Sequence, residues 1–348
     1  MAQYTNPVME HYDCRNSPFL DLRSPFTAWE KVKMALLIVT VIPRVLLAFL
    51  ALSCMALLST LATLHWPLDK PLPPMRRKIV LWSRHFSMVC VWLMGFWVRC
   101  HGWENVAEAE KKNVRLIMFN HVSYVDSFIL VGYFAPAGLS KASNAGYPII
   151  GRCIRSLQNI YLPDARQVKD GKNGTGVSKA ESVSEQITRR VTDLRYPMLA
   201  VAPEGTCGDG RCILQFRTGS FVAGAPVLPV LFKYSNNGIN PAWGVVNMGL
   251  HVLRVLCQFY NSVDVHILPP YMPSEAEKKD PALYASNVRT LMASHLDVPM
   301  VEHMYNHYYA LCKLDINVAT DGTSLTAPPG VLDAEGFADL TTVLKKKE

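Results

Sequence analysis

Charge is scarce in this chain. Only 18% of its 348 residues are Asp, Glu, Lys or Arg, while half are apolar; soluble domains usually carry about 25% charged residues. Blocks of Lys or Arg with interleaved aromatics are also missing, which argues against nucleic acid as the partner behind the net charge of +7. On so apolar a chain, surplus cations suit anionic headgroups or phosphorylated ligands better. Residues 1–33 are polar and lack the n-region, h-region and cleavage site of a secretory leader. Nine cysteines, scattered and odd in number, speak against a disulfide framework and for reduced thiols facing the cytosol. Metal-ligand spacing is lacking as well. Cys207 and Cys212 have no matching partners, and His303 and His307, spaced for one helix face, have no acidic third ligand. No metal is expected, and no internal repeat is visible.

Apolar length is what the chain has in quantity. Met34 to Leu64 is one long run, broken by Pro43-Arg44. As a single helix it would be about 46 Å long, more than a ~30 Å hydrocarbon core needs. Pro43 predicts a break, because it lacks the amide donor and crowds the preceding turn. Arg44 would then reach for an interface. A second stretch, Phe86 to Val98, is short for a span and rich in Trp and Phe, which favour the interface. Arg15, Arg23, Lys31 and Lys33 precede the first run, and Lys70, Arg76, Arg77 and Lys78 follow it. Cations on both flanks favour a hairpin entering and leaving by the cytoplasmic face, the rival being a single span over residues 45–64.

From Val114 onward strand and helix signals alternate. Strands are expected at Arg115–Phe119, Met198–Ala202, Val227–Tyr234 and Val263–Leu268, and helices at Asp126–Phe134, Tyr147–Leu157, Glu185–Leu194 and Pro281–Leu296. Asp164–Ser182 reads as a polar surface loop. The expected fold is α/β, a mostly parallel sheet flanked by helices and preceded by a membrane-anchoring helical hairpin, with its site at strand ends. The expected organisation is a polar segment 1–33, anchoring helices 34–99, a catalytic domain 100–314 and a flexible tail 315–348.

Two strand ends carry the chemistry. Asn120-His121-Val122-Ser123-Tyr124-Val125-Asp126 puts an imidazole and a carboxylate five positions apart. Five positions on a regular helix are about 500° of rotation, so the pair meets only if His121 lies in the loop before the helix. Ser123 is the expected N-cap for that geometry, and the helix start would add amides suited to an anionic substrate. A neutral imidazole can take a proton from an alcohol near pH 7, with the carboxylate fixing its tautomer. Taken alone, the pair also fits a capping Asp beside a loop His. The second element, Pro203-Glu204-Gly205-Thr206, ends another strand, and Arg211 and Arg217 follow. By itself it is equally an ordinary turn.

Together these pieces resemble the glycerolipid (1-acylglycerol-3-phosphate) acyltransferase family, and within it most the lysophosphatidylcholine and lysophospholipid acyltransferases. The motifs stand in family order: Asn120-His121 to Asp126, Ile160-Tyr161-Leu162, Pro203-Glu204-Gly205-Thr206-Cys207, and Pro226-Val227-Leu228-Pro229-Val230. The subfamily likeness comes from Gly219 to Pro226, Leu268 to Lys278 and the Pro43-Arg44 step, and the whole covers roughly residues 18–305. The resemblance implies a membrane-bound enzyme that uses acyl-CoA as co-substrate and needs no resident cofactor. His121 would take the proton of a lysophospholipid hydroxyl, which attacks the thioester directly, and Asp126 would orient the ring. No acyl-enzyme is implied. Glu204, Gly205 and Thr206 would position the acceptor, and an arginine would grip its phosphate. In this sequence that arginine is displaced from the family position, leaving Arg166, with Arg152, Arg155 and Arg217 as substitutes.

The favoured acceptor is lysophosphatidylcholine or lysophosphatidylethanolamine. The alternatives are lysophosphatidate as acceptor and, more distantly, a non-catalytic membrane hairpin scaffold. Asp315-Ile-Asn317 opens like the calcium loop some family members carry, but Thr320 and Thr326 replace the required Gly and Glu. Lys345 and Lys346, near the C-terminus, fit a cytosolic dilysine retrieval signal. Location in the endoplasmic reticulum membrane with a cytosolic catalytic domain follows. The sequon Asn173-Gly-Thr175 would then go unused.

Overall fold

The structure is a computed structural model that describes residue 4 and residues 6–67, 69–162, 182–235 and 238–344. After a two-residue strand, β1 (Tyr12–Asp13), the chain builds a seven-stranded sheet from β2 (Phe96–His101), β3 (Leu116–Phe119), β4 (Ala137–Lys141), β5 (Ile160–Leu162), β6 (Leu199–Val201), β7 (Val227–Ser235) and β8 (Asn261–Ile267). Their order is β2-β8-β7-β3-β6-β4-β5. The five from β7 to β5 are parallel; β8 runs antiparallel to β7, and β2 parallel to β8. The sheet is thus mostly parallel, as the alternation of strands and helices implied.

Helices cover both faces. They are α1 (Ala28–Thr63), α2 (Pro74–Leu93), α3 (Glu104–Lys111), α4 (Tyr124–Phe134), α5 (Ile150–Ser156), α6 (Val183–Thr192), α7 (Met248–Leu256), α8 (Glu275–Lys279), α9 (Pro281–Leu296) and α10 (Tyr305–Lys313). The central strand β3 shows why its sequence is apolar without a break. Leu116 and Met118 join α6 and α9 in one core cluster, while Ile117 and Phe119 join α2, α4 and α7 in another. A strand buried on both faces has no polar side, and each such side chain stabilises the fold by about 1.5–3 kcal/mol.

The N-terminal helices differ from expectation in two respects. Pro43 does not break α1, which runs unbroken through it. Contacts on either side support the helix: Val41 packs against Leu256 and Cys257, and Arg44 donates to the Leu93 carbonyl at 2.7 Å and the Leu256 carbonyl at 2.8 Å. The second apolar stretch is not one element either. Its start belongs to α2, which begins at Pro74, and its end to β2.

Within the expected flexible tail, the described residues 315–344 are folded. Phe337–Ala338 (β11) pairs with β1, and Asn317–Val318 (β9) pairs with Leu325–Thr326 (β10). Ile316 and Leu340 are fully buried with Tyr12 and Phe19, so the polar N-terminal segment and the tail bury each other's apolar residues. The expected surface loop falls almost wholly outside the described residues, and so do Arg166, the sequon and the terminal lysines.

Candidate active site

β3 and β6 lie side by side and parallel, so the loops leaving their carboxyl ends, at Asn120 and Ala202, share one edge of the sheet. At the β3 exit, the Asn120 side chain pairs with the Phe232 backbone of β7 at 2.8 and 3.0 Å, which fixes where the next residue starts. His121 lies in the loop, Ser123 is the N-cap of α4, and its hydroxyl accepts from the Val125 amide. This is the only arrangement in which residues five apart can meet, and they do. His121 Nδ1 stands 2.9 Å from Asp126 Oδ2.

Asp126 is fully buried and gathers four donors. Oδ2 accepts from the Val122 amide at 2.7 Å and the Ser123 amide at 2.9 Å as well as from His121. Oδ1 accepts from the Tyr234 hydroxyl. The Val122 and Ser123 amides, just before the helix, are therefore spent on Asp126, while within the first turn the Val125 amide goes to the Ser123 hydroxyl. With Nδ1 committed to the carboxylate, the other ring nitrogen, Nε2, is the basic one; the His121 side chain keeps 24% exposure. Burial lowers the affinity of the imidazole for a proton, whereas the Cys207 sulfur and the Asp126 carboxylate raise it, and the balance lies well above the ordinary histidine value. Burial, then the Asp126 charge, pushes the Tyr234 phenol far up, so it remains a donor.

The β6 exit uses its carboxylate differently. Glu204 is 2% exposed; Oε1 accepts from the His121 amide at 2.9 Å and Oε2 from the Leu214 amide at 3.0 Å. Burial pushes its carboxyl up to about 7, against the pull of those amides. Both oxygens are occupied by backbone, so any effect of Glu204 on an acceptor runs through the His121 loop. Gly205 adopts φ +69, where glycine is favoured, and a Cβ there would meet Arg217 Nε at 2.8 Å, so the exposed Arg217 side chain would have to shift. The Gly208 amide closes back onto the His121 carbonyl at 2.9 Å. Thr206 is buried in the same turn.

The arginine candidates separate. Arg217 is exposed, lies over Gly205 and sits 5.1 Å from the Tyr305 ring, so it borders the site. Arg152 and Arg155 instead reach Thr60 of α1 and the Ala145 carbonyl. Among the described residues, no three His, Cys, Asp or Glu side chains gather as metal ligands would. His303 and His307 are buried among Tyr12 and Phe19. Sequence reasoning missed Tyr234 as a site residue. The available signal was its position at the carboxyl end of an expected strand, beside the strand that delivers His121.

Residues 97–233 match the family model described as Acyltransferase. This segment is an acyltransferase domain. It holds His121, Asp126 and the Glu204 turn, and the family read from the ordered motifs is the one found. The chain is 37% identical to Lysophospholipid acyltransferase LPEAT1 of Arabidopsis thaliana over 188 residues, which is 54% of this chain and 46% of that protein. It is 31% identical to Lysophosphatidylcholine acyltransferase 2 of Rattus norvegicus over 337 residues, 95% of this chain and 57% of that protein. The chain thus spans about half the length of these relatives. The crystal structure of the 1-acyl-sn-glycerophosphate (LPA) acyltransferase PlsC from Thermotoga maritima covers 77% of this chain and 98% of its own, at 19% identity and a TM-score of 0.49.

Proposed function

We propose that this acyltransferase domain moves an acyl group from acyl-CoA to the free hydroxyl of a lysophospholipid, with lysophosphatidylcholine or lysophosphatidylethanolamine as acceptor. The observation that carries the proposal is the His121–Asp126 contact at 2.9 Å, which leaves Nε2 as the base. In this reading Nε2 takes the hydroxyl proton as the oxygen attacks the thioester carbon. The CoA thiolate leaves and collects the proton from the imidazolium. Asp126 holds the tautomer and offsets the ring's transient charge, and Arg217, beside Gly205, meets the acceptor phosphate. Such a base contributes ~10²–10⁴ in rate. The activities for which the relatives are named support a lysophospholipid as acceptor.

We infer further that α1 and α2 seat the domain on one leaflet. α1 is about 54 Å long at 1.5 Å per residue, and among the described residues it is the one helix long and apolar enough to cross a membrane. Yet the domain grips it along its length: Lys33 holds Gln258 at 2.6 Å, Arg44 the Leu93 and Leu256 carbonyls, and Ser59 receives Ser156 at 2.9 Å. Leu36, Val39, Leu46, Phe49 and Leu57 meanwhile remain exposed. A helix fastened at both ends to one globular body cannot pass through a bilayer, but its free face can lie in the acyl boundary.

The test is acyl transfer from acyl-CoA to a panel of lysophosphatidylcholine, lysophosphatidylethanolamine and lysophosphatidate. Wild type should prefer the first two, and His121→Ala should lose at least ~10² in kcat. Equal activity in the two proteins would sink the mechanism, and preference for lysophosphatidate would replace the acceptor.

A further inference from the structure

We propose that a groove at the opposite end of the sheet from His121 binds the phosphate headgroup of an acidic membrane lipid, with Lys70 and Arg77 as its cations. This inference rests on the seating of α1 and α2 in lipid. The two sites are well separated: Arg115 immediately precedes β3 and His121 lies just beyond its other end, six residues or about 20 Å along an extended chain.

The groove, about 900 Å³, opens at the turn between α1 and α2. Its charged lining is Lys70, Arg77, Arg189 and Arg195 against Asp69 and Asp193, and Asp193 already pairs with Arg195 at 2.7 Å. Arg77 belongs to a cluster of three guanidiniums at the N-terminal ends of the strands. Arg77 donates to the Ala135 carbonyl at 2.6 Å, Arg84 to the Tyr133 carbonyl at 3.1 Å, and Arg115 to the Tyr196 carbonyl. Two of these bonds satisfy the open carboxyl end of α4, which explains where the side chains point. It supplies no counter-ion. Among the described residues, Arg77 Nη1, Arg84 Nε and Arg115 Nε are buried without a hydrogen-bond partner. Burial, followed by the charges of Arg115 and Arg84, pushes the Arg77 guanidinium down to about 10. Among the described residues no ion pair with a carboxylate offsets Arg77, Arg84 or Arg115, and an anion in the groove that Arg77 lines would relieve them.

The walls point to a lipid as the source of that anion. Trp66, Leu72 and Pro73 line the groove, and Leu64, just past the end of α1, and Met75 and Trp82 of α2 expose half or more of their surface. Arg76 sits 5.3 Å from the Trp66 ring. An amphiphile with chains along the hairpin and phosphate on Lys70 and Arg77 covers both surfaces. A free phosphate would leave the apolar wall bare.

The experiment measures binding to phosphatidylcholine vesicles with and without phosphatidic acid. Each cation near an anionic surface contributes about fivefold in affinity, so Lys70→Gln with Arg77→Gln should remove about 30-fold of the acidic-lipid excess while keeping the phosphatidylcholine binding. Lys70→Gln alone, on an exposed side chain, guards against misfolding and should remove about fivefold. Lys278→Gln with Lys279→Gln, on α8, should remove less than about twofold. Soluble dihexanoyl phosphatidic acid should compete for the excess and inorganic phosphate should not. Equal loss in the α8 variant, no loss in the Lys70 variant, or equal competition by inorganic phosphate overturns the lipid site. A wild type that ignores vesicles of both compositions overturns the leaflet seating instead.

Discussion

Asp126 and Glu204 are two buried carboxylates that both touch His121, and they do opposite work. Asp126 reaches the ring and is surrounded by four donors, two of them side chains from other parts of the site. Glu204 reaches only backbone, holding the His121 amide on one side and the Leu214 amide on the other. The first therefore sets which nitrogen of the imidazole is basic, and the second sets where the imidazole stands. Burial alone does not decide what a carboxylate does; its donors decide.

Substitutions can break this contrast, and the largest effect is expected at Asp126. Asp126→Asn cannot accept from all four donors and no longer selects the Nδ1-protonated tautomer, so kcat should fall by ~10²–10⁴ with acceptor KM nearly unchanged. A comparable loss from Glu204→Gln would erase the distinction. The expected outcome for Glu204→Gln is smaller, because one of its two amide contacts becomes donor against donor, costing about 1–3 kcal/mol of stability.

The same variant carries a pH signature. A free Glu titrates near 4.3, whereas Glu204 is held at about 7 in the fold. The native state thus keeps a proton that the unfolded chain has already lost. Stability from this group is greatest below ~4.3 and declines as pH rises toward about 7. Denaturant unfolding at about pH 5 and about pH 8 should show this decline in wild type and a weaker one in Glu204→Gln; parallel curves would count against the raised value.

Tyr234→Phe is the mildest test. It removes one donor from Asp126 and should cost about 0.5–3 kcal/mol of stability. A less neutralised Asp126 also holds the imidazolium more firmly, so the acid limb of kcat/KM should move to still higher pH than the wild-type limb, which itself should lie above ~6.5. An unchanged limb would reduce Tyr234 to a packing residue.

Much of the candidate site was legible because it is local. The His121–Asp126 spacing, the Ser123 cap and the strand ends are written within a few residues of each other, and short-range geometry leaves one way for the pair to meet. α9 was legible to the residue, since Pro281 and the preceding Asp280 mark its start. Elements that depend on distant partners were not. The continuity of α1 past Pro43 is held by carbonyls of Leu93 and Leu256, and the order of the C-terminal segment by Tyr12 and Phe19, far away along the chain.

What the sequence determined by itself is the alternation of strands and helices, the apolar N-terminal face and the imidazole with its carboxylate, all consequences of periodicity and nearest-neighbour chemistry. Only the tertiary structure decided that Glu204 braces the His121 amide, that Tyr234 completes the Asp126 shell, and that Arg77, Arg84 and Arg115 crowd the other end of the sheet. Each of those is a meeting of residues that no local rule relates, made by the order in which parallel strands stand side by side.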